Sequence, residues 1–109
     1  MKIIYSLLVI GSMFFAGNAI AETEEFSIII KDHKFTPEVL EVPAGEKFKL
    51  VIDNQDPTPE EFESHSLNRE KIIQGNSKGT VFVGPLKAGE YDYFGEFNED
   101  SAKGKIVAR

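Results

Sequence analysis

The stretch "KFKLVID" (47–53) puts Phe48, Leu50 and Ile52 on one side and Lys47, Lys49 and Asp53 on the other. A period of two residues is that of a β-strand with one face in a core and the other toward water. The strand is entered through the turn "PAGE" and is followed by a connection, 54–62, that holds Pro57 and Pro59 and so cannot be strand interior. Reading outward gives more runs of the same kind: "FSIII" (26–30), "VLEV" (39–42), "GTVFV" (79–83), "EYDYF" (90–94) and "GKIVA" (104–108), with the turn "GPLKAGE" before the last two. Short strands at near-regular spacing predict a single-domain β-sandwich. "NREKII" (68–73) is read as a short helical turn within this series.

Residues 1–21, "MKIIYSLLVIGSMFFAGNAIA", combine one lysine, an apolar run and a small-x-small end, the pattern of a secretory signal peptide. The domain is then 22–109, which is 109 less 21, or 88 residues. With the signal removed the chain is expected to be periplasmic, with no membrane insertion. It then has no Cys, Met or Trp, so strand pairing and burial hold it together rather than disulfides. Removing Lys2 from the 12 basic residues leaves 11 against 18 acidic ones, a net charge of −7. Such a balance argues against nucleic acid or anionic membrane surfaces as partners and suits a protein that meets cations.

The chemistry is concentrated in "PEEFESHSLNRE" (59–70), which holds Glu60, Glu61, Glu63, Glu70 and His65. Leu67 shares parity with Glu63 and His65. If Leu67 faces the core, so do they, and Phe62 points outward. Inward carboxylates are costly unless paired or bound to a metal, which makes Glu63 the leading candidate ligand. Glu60 and Glu61 follow prolines and read as solvated loop residues. Paired carboxylates also serve glycosidases, but a sandwich of this size leaves little room for a sugar cleft.

"FTPEVLEVPAGEKFKLVIDNQD" (35–56) resembles the N-terminal half of small cupredoxins, and "LKAGEYDYF" followed by "GKIVA" resembles their C-terminal half. The resemblance implies an all-β, cupredoxin-like Greek-key β-sandwich. More narrowly, "KDHKFTPE", "PEEFESHSLNREK" and "FGEFNEDSAKG" resemble a periplasmic branch associated with bacterial high-affinity iron permeases, beside a second periplasmic metal protein. That branch is proposed to handle or oxidise ferrous iron before transport, and often has a histidine where this chain has Asn98. A blue-copper centre needs a thiolate, two imidazoles and usually a thioether. The positions that would supply the cysteine, second histidine and methionine fall near Gly95, Asn98 and Ala102, and none can.

The resemblance brings the loops 31–35 and 95–102 to one end of the sandwich. His33, Glu63 and Glu96 are therefore expected to converge there on an iron or copper ion, with His65 in or next to the ligand set. The alternatives are a loop histidine bonded to a carbonyl at His33 and a half-buried strand histidine at His65. Glu99 and Asp100 read as turn residues, and Tyr91 and Tyr93 as core. Two functions remain open: a metal-binding protein of iron uptake, with a ferrous-iron oxidase as its catalytic form, or a metal-free module that docks on a permease or another periplasmic partner. Because a thiolate ligand is absent after residue 21, the mature protein should develop no intense blue charge-transfer band on titration with Cu(II), as read by visible absorption.

Overall fold

The structure is a computed structural model and describes residues 23–109. The expected signal peptide, 1–21, lies outside the described residues. Nine strands form two sheets: β1 (Glu24–Lys31), β2 (Lys34–Thr36), β3 (Val39–Val42), β4 (Phe48–Asn54), β5 (Glu60–Ser64), β6 (Arg69–Ile73), β7 (Ser77–Val83), β8 (Gly89–Gly95) and β9 (Lys103–Ala108). One sheet has the order β2-β1-β4-β7 and the other β3-β9-β8-β5-β6. Both are mixed, since β1 runs parallel to β4 and β3 parallel to β9. This is the expected all-β sandwich.

The strand 48–54 behaves as its pattern requires: Phe48, Leu50, Ile52 and then Asn54 are buried and the residues between them half-buried. Its inward side chains meet Ile28 and Ile30 from β1 and Ile106 from β9 in one core. Phe35, Phe62 and Tyr93 form an aromatic cluster there, with centroids 5.0 Å apart for Phe35–Tyr93 and for Phe62–Tyr93. Burial pushes the Tyr93 hydroxyl well above its ordinary pKa, so it stays protonated.

Three local expectations are corrected. Residues 69–73 form an edge strand paired with β5, not a helical turn, because the pairing supplies hydrogen bonds that a five-residue helix would lack. The connection after β4 ends at Pro59, and Glu60 already begins β5. The parity of β5 is also reversed: Phe62 is fully buried, so Glu60, Phe62 and Ser64 face inward and Glu61 and Glu63 face out. The physical reason is the turn at 65–68. The Ser64 hydroxyl donates to Asp92 O (2.6 Å) and accepts from the Leu67 amide (3.2 Å), and Asn68 N donates to His65 O with Asn68 left-handed at φ 55°. The chain has left the strand before Leu67 reaches the core, so alternation does not carry across.

Asn54 fixes where β5 starts. Its buried side-chain amide donates to Thr58 O, Ile73 O and Gln74 O, and its oxygen accepts from the Asp56 amide (3.0 Å). The loop therefore lies close against residue 75, where a Cβ would come 2.1 Å from Pro57 O, so only glycine fits. Phe62→Ala should cost about 3–5 kcal/mol in urea-induced unfolding, the usual loss for a buried aromatic ring, whereas Phe82→Ala at a half-exposed position should cost far less.

Candidate metal centre

The reversed parity of β5 puts the acidic residues on the outer face of the five-stranded sheet. Glu63 is opposite Glu70 on β6 and Phe94 on β8, and Glu61 is opposite Ile72. One carboxylate oxygen from each of Glu61, Glu63 and Glu70 lies within 4.8 Å of the others. Glu96, at the head of the 3-10 turn Glu96–Asn98 that follows β8, is close enough to act on Glu63. Neighbouring carboxylates disfavour one another's ionised form, because like charges repel. The contact with Glu96, helped by burial and by the charges of Glu70, Glu96 and Glu61, pushes the Glu63 carboxyl up to about 7. A hydrogen bond with Glu70 raises Glu61 in the same way. The Glu63 side chain is 17 % exposed, while the His65 side chain beside it is 81 % exposed.

The sequence-derived candidates separate into two groups. Glu63 and Glu96 lie close together, on the sheet's outer face rather than turned inward. His65 lies next to them, with Nε2 3.6 Å from Glu63 Oε2 and its ring edge-on to Phe94 at 5.6 Å. A small cleft of about 140 Å³ runs between Glu63, His65 and Glu70. His33 is engaged elsewhere. It forms the two-residue β1–β2 turn with Asp32, both residues left-handed (φ 53° and 58°). Asp56 caps that turn by accepting from both amides, at 2.8 and 2.9 Å, and its Oδ2 lies 3.6 Å from His33 Nδ1. Burial alone would raise the Asp56 carboxyl, but the two amides and the nearby His33 and Lys31 hold it below its ordinary range.

Sequence reasoning missed Glu61 and Glu70 as partners in the cluster, and its reading of Glu60 and Glu61 as solvated loop residues is corrected: both lie on β5, and Glu60 is buried. The Glu60 residue is only 1 % exposed. Its Oε1 accepts from the amides of Glu61 (3.0 Å) and Phe97 (2.8 Å), and its Oε2 from the Asn98 side chain (2.6 Å). A Cβ on Gly95 would lie 2.7 Å from both the Glu60 Cδ and the Ala102 Cβ. Of the positions aligned with the blue-copper loop ligands, Gly95 and Asn98 thus lie against the Glu60 carboxylate, and Ala102 packs beside Gly95. The signal that could have found Glu60 was the alternation Glu60-Phe62-Ser64, once Phe62 is taken as the core residue.

A model of the cupredoxin-like domain matches residues 3–108. The chain belongs to the cupredoxin-like domain family. This cupredoxin-like chain is 49 % identical over 83 residues to the uncharacterized protein RP394 of Rickettsia prowazekii (strain Madrid E), covering 76 % of this chain and 66 % of that protein. Its fold is similar to that of auracyanin A, a "blue" copper protein from Chloroflexus aurantiacus (TM-score 0.70, 16 % identity, 81 % of this chain and 100 % of that one). It is also similar to the metal-binding domain of the Cu(I)-exporting P-type ATPase CopA of Streptococcus pneumoniae D39 (TM-score 0.69, 11 % identity, 78 % and 84 %). Amicyanin from Paracoccus versutus gives a TM-score of 0.59 at 16 % identity, over 84 % and 86 %. At these identities the likeness is one of fold.

The raised carboxyl at Glu63 has a sign that can be measured. The folded protein holds a proton that the unfolded chain, with an ordinary carboxyl near 4.5, releases. Folding is therefore favoured by protonation, and stability falls as pH rises from 4.5 through about 7. The groups that set this are Glu96, Glu70 and Glu61 around Glu63. The unfolding temperature of the metal-free protein should fall across that interval, and Glu63→Gln should flatten the fall.

Proposed function

We propose that this chain is a periplasmic metal-binding cupredoxin-like protein of iron uptake, which takes up iron or Cu(II) on the outer face of the five-stranded sheet and hands it to a membrane permease or a second periplasmic metal protein. The observation that carries the reading is the convergence of Glu61, Glu63 and Glu70, whose carboxylate oxygens lie within 4.8 Å of one another, with Glu96 close to Glu63. Carboxylates held together by the backbone gain most from a multivalent cation, which offsets their repulsion. Oxygen donors with one imidazole nearby match Fe, Mn or Cu(II) rather than Cu(I). The iron assignment rests on the resemblance of "PEEFESHSLNREK" and "FGEFNEDSAKG" to the iron-permease branch. Copper is supported by fold relatives described as copper proteins.

A surface site suits cargo rather than a shuttled electron. Ligands on a sheet face exchange with solvent and with a partner's ligands, whereas an enclosed site holds its ion. The second reading, a metal-free docking module, is favoured by one observation, the buried Glu60 carboxylate that Phe97 N and the Asn98 side chain satisfy with protein donors. Calorimetry of the mature protein with Cu(II) and with Fe(III) separates the two. The metal-binding reading expects a saturable site whose affinity rises with pH through about 7 as Glu63 loses its proton. Glu63→Gln should weaken it by more than the roughly 10–100-fold typical of outer-shell changes, and His33→Ala should leave it unchanged. Equal binding by wild type and Glu63→Gln would overturn this placement of the site.

A further inference from the structure

The 3-10 turn that carries Glu96 has little of its own to hold it. It buries no residue and has no side-chain cap. Its C-terminal end is fixed by Asn98 O, which accepts from the amides of Ser101 and Ala102 at 3.2 and 2.9 Å. Its middle is fixed from the opposite strand, because Phe97 N and the Asn98 side chain both donate to Glu60. The same carboxylate accepts from the Glu61 amide, so one buried group touches the backbone beside both halves of the acidic cluster.

We infer that Glu60 is a positioning residue, which holds Glu96 over Glu63 by tethering the turn and so preassembles the metal ligands from the inner side of the sheet. This rests on the reading of the outer carboxylates as a metal site. The need for a tether follows from charge: Glu61, Glu63, Glu70 and Glu96 repel one another when ionised, and an untied turn would carry Glu96 toward water. Glu60 acts without touching the ion, since it is inward-facing on β5 while Glu61 and Glu63 face outward. Gly95 is the complementary requirement, because any Cβ there would strike the tethering carboxylate.

The test is a double-mutant cycle on the mature protein with Cu(II) and Fe(III), read by calorimetry. Glu60→Met keeps the length of the side chain and removes every acceptor. It should weaken binding by about tenfold or more, in the range of outer-shell changes. In a Glu96→Gln background the same substitution should add no further loss, because it acts through Glu96. A merely structural role would cost the same in both backgrounds, and that result overturns the inference. Should Glu60→Met fail to fold, Asn98→Ala, which removes a single donor from Glu60, takes its place in the cycle with the same two outcomes. Amide hydrogen exchange of the metal-free protein separates this inference from the reading beneath it. If wild type binds neither metal, that reading falls. The tether is still supported by faster exchange of the Phe97 amide in Glu60→Met, and overturned if that amide exchanges as in wild type.

Discussion

The carboxylate of Glu60 lies between the two sheets with almost no contact with water. A buried carboxyl in that position is tolerated only if hydrogen-bond partners satisfy its oxygens. The chain meets this demand from three directions: the next amide on β5, the Phe97 amide and the Asn98 side chain. Each donor fixes a different piece of backbone, so one electrostatic requirement sets the start of β5, the path of the turn after β8 and the approach of Gly95. The arrangement of the acidic outer face follows from these placements.

A second polar corner does similar work on the other sheet. Asn54 ends β4 and donates to carbonyls at Thr58, Ile73 and Gln74, while Asp56 reaches back to cap the left-handed turn at Asp32 and His33. Gln55 N bonds Ile30 O and Asn76 N bonds Asp56 O, so the 55–58 loop is tied to both flanking hairpins. His33 belongs to this corner. Its carbonyl also accepts from Ser101 Oγ at 2.7 Å, which links the β1–β2 turn to the loop before β9. The two corners take up the end of the sandwich with side chains that satisfy one another. The acidic side chains of Glu61, Glu63 and Glu70 gather instead on the outer face of the five-stranded sheet.

That placement decides what the charges do. On the outer face the cluster of Glu61, Glu63, Glu70 and Glu96 stays near water, so protons and cations reach it without opening the core. The neighbouring carboxylates, Glu96 first, push the Glu63 carboxyl up to about 7. Across the same sheet, Lys103 and Lys105 stand on β9 opposite Phe94 and Asp92, so positive charge borders the acidic cluster without entering it.

The strands with strict alternation were legible from sequence because both faces of each strand declare themselves: Phe48, Leu50 and Ile52 had only one way to be buried. The sandwich, the core tyrosine at 93 and the loss of the blue-copper ligands followed from the same local reading and from the absence of cysteine. The acidic segment was less legible. Leu67 was a misleading guide to Glu63 because a turn closed by Ser64 lies between them, and parity has no meaning across a turn. The proximity of Glu96 to Glu63 was anticipated through the family resemblance, whereas the partnership with Glu70 came from the register of an edge strand that read as a helical turn. By itself the sequence determined which residues could be core and which ligand chemistry was excluded, since those depend on side-chain type and period. Only the tertiary structure decided that Glu60 is buried, that His33 serves Asp56, and that the acidic cluster faces outward, because each depends on donors and strands distant along the chain.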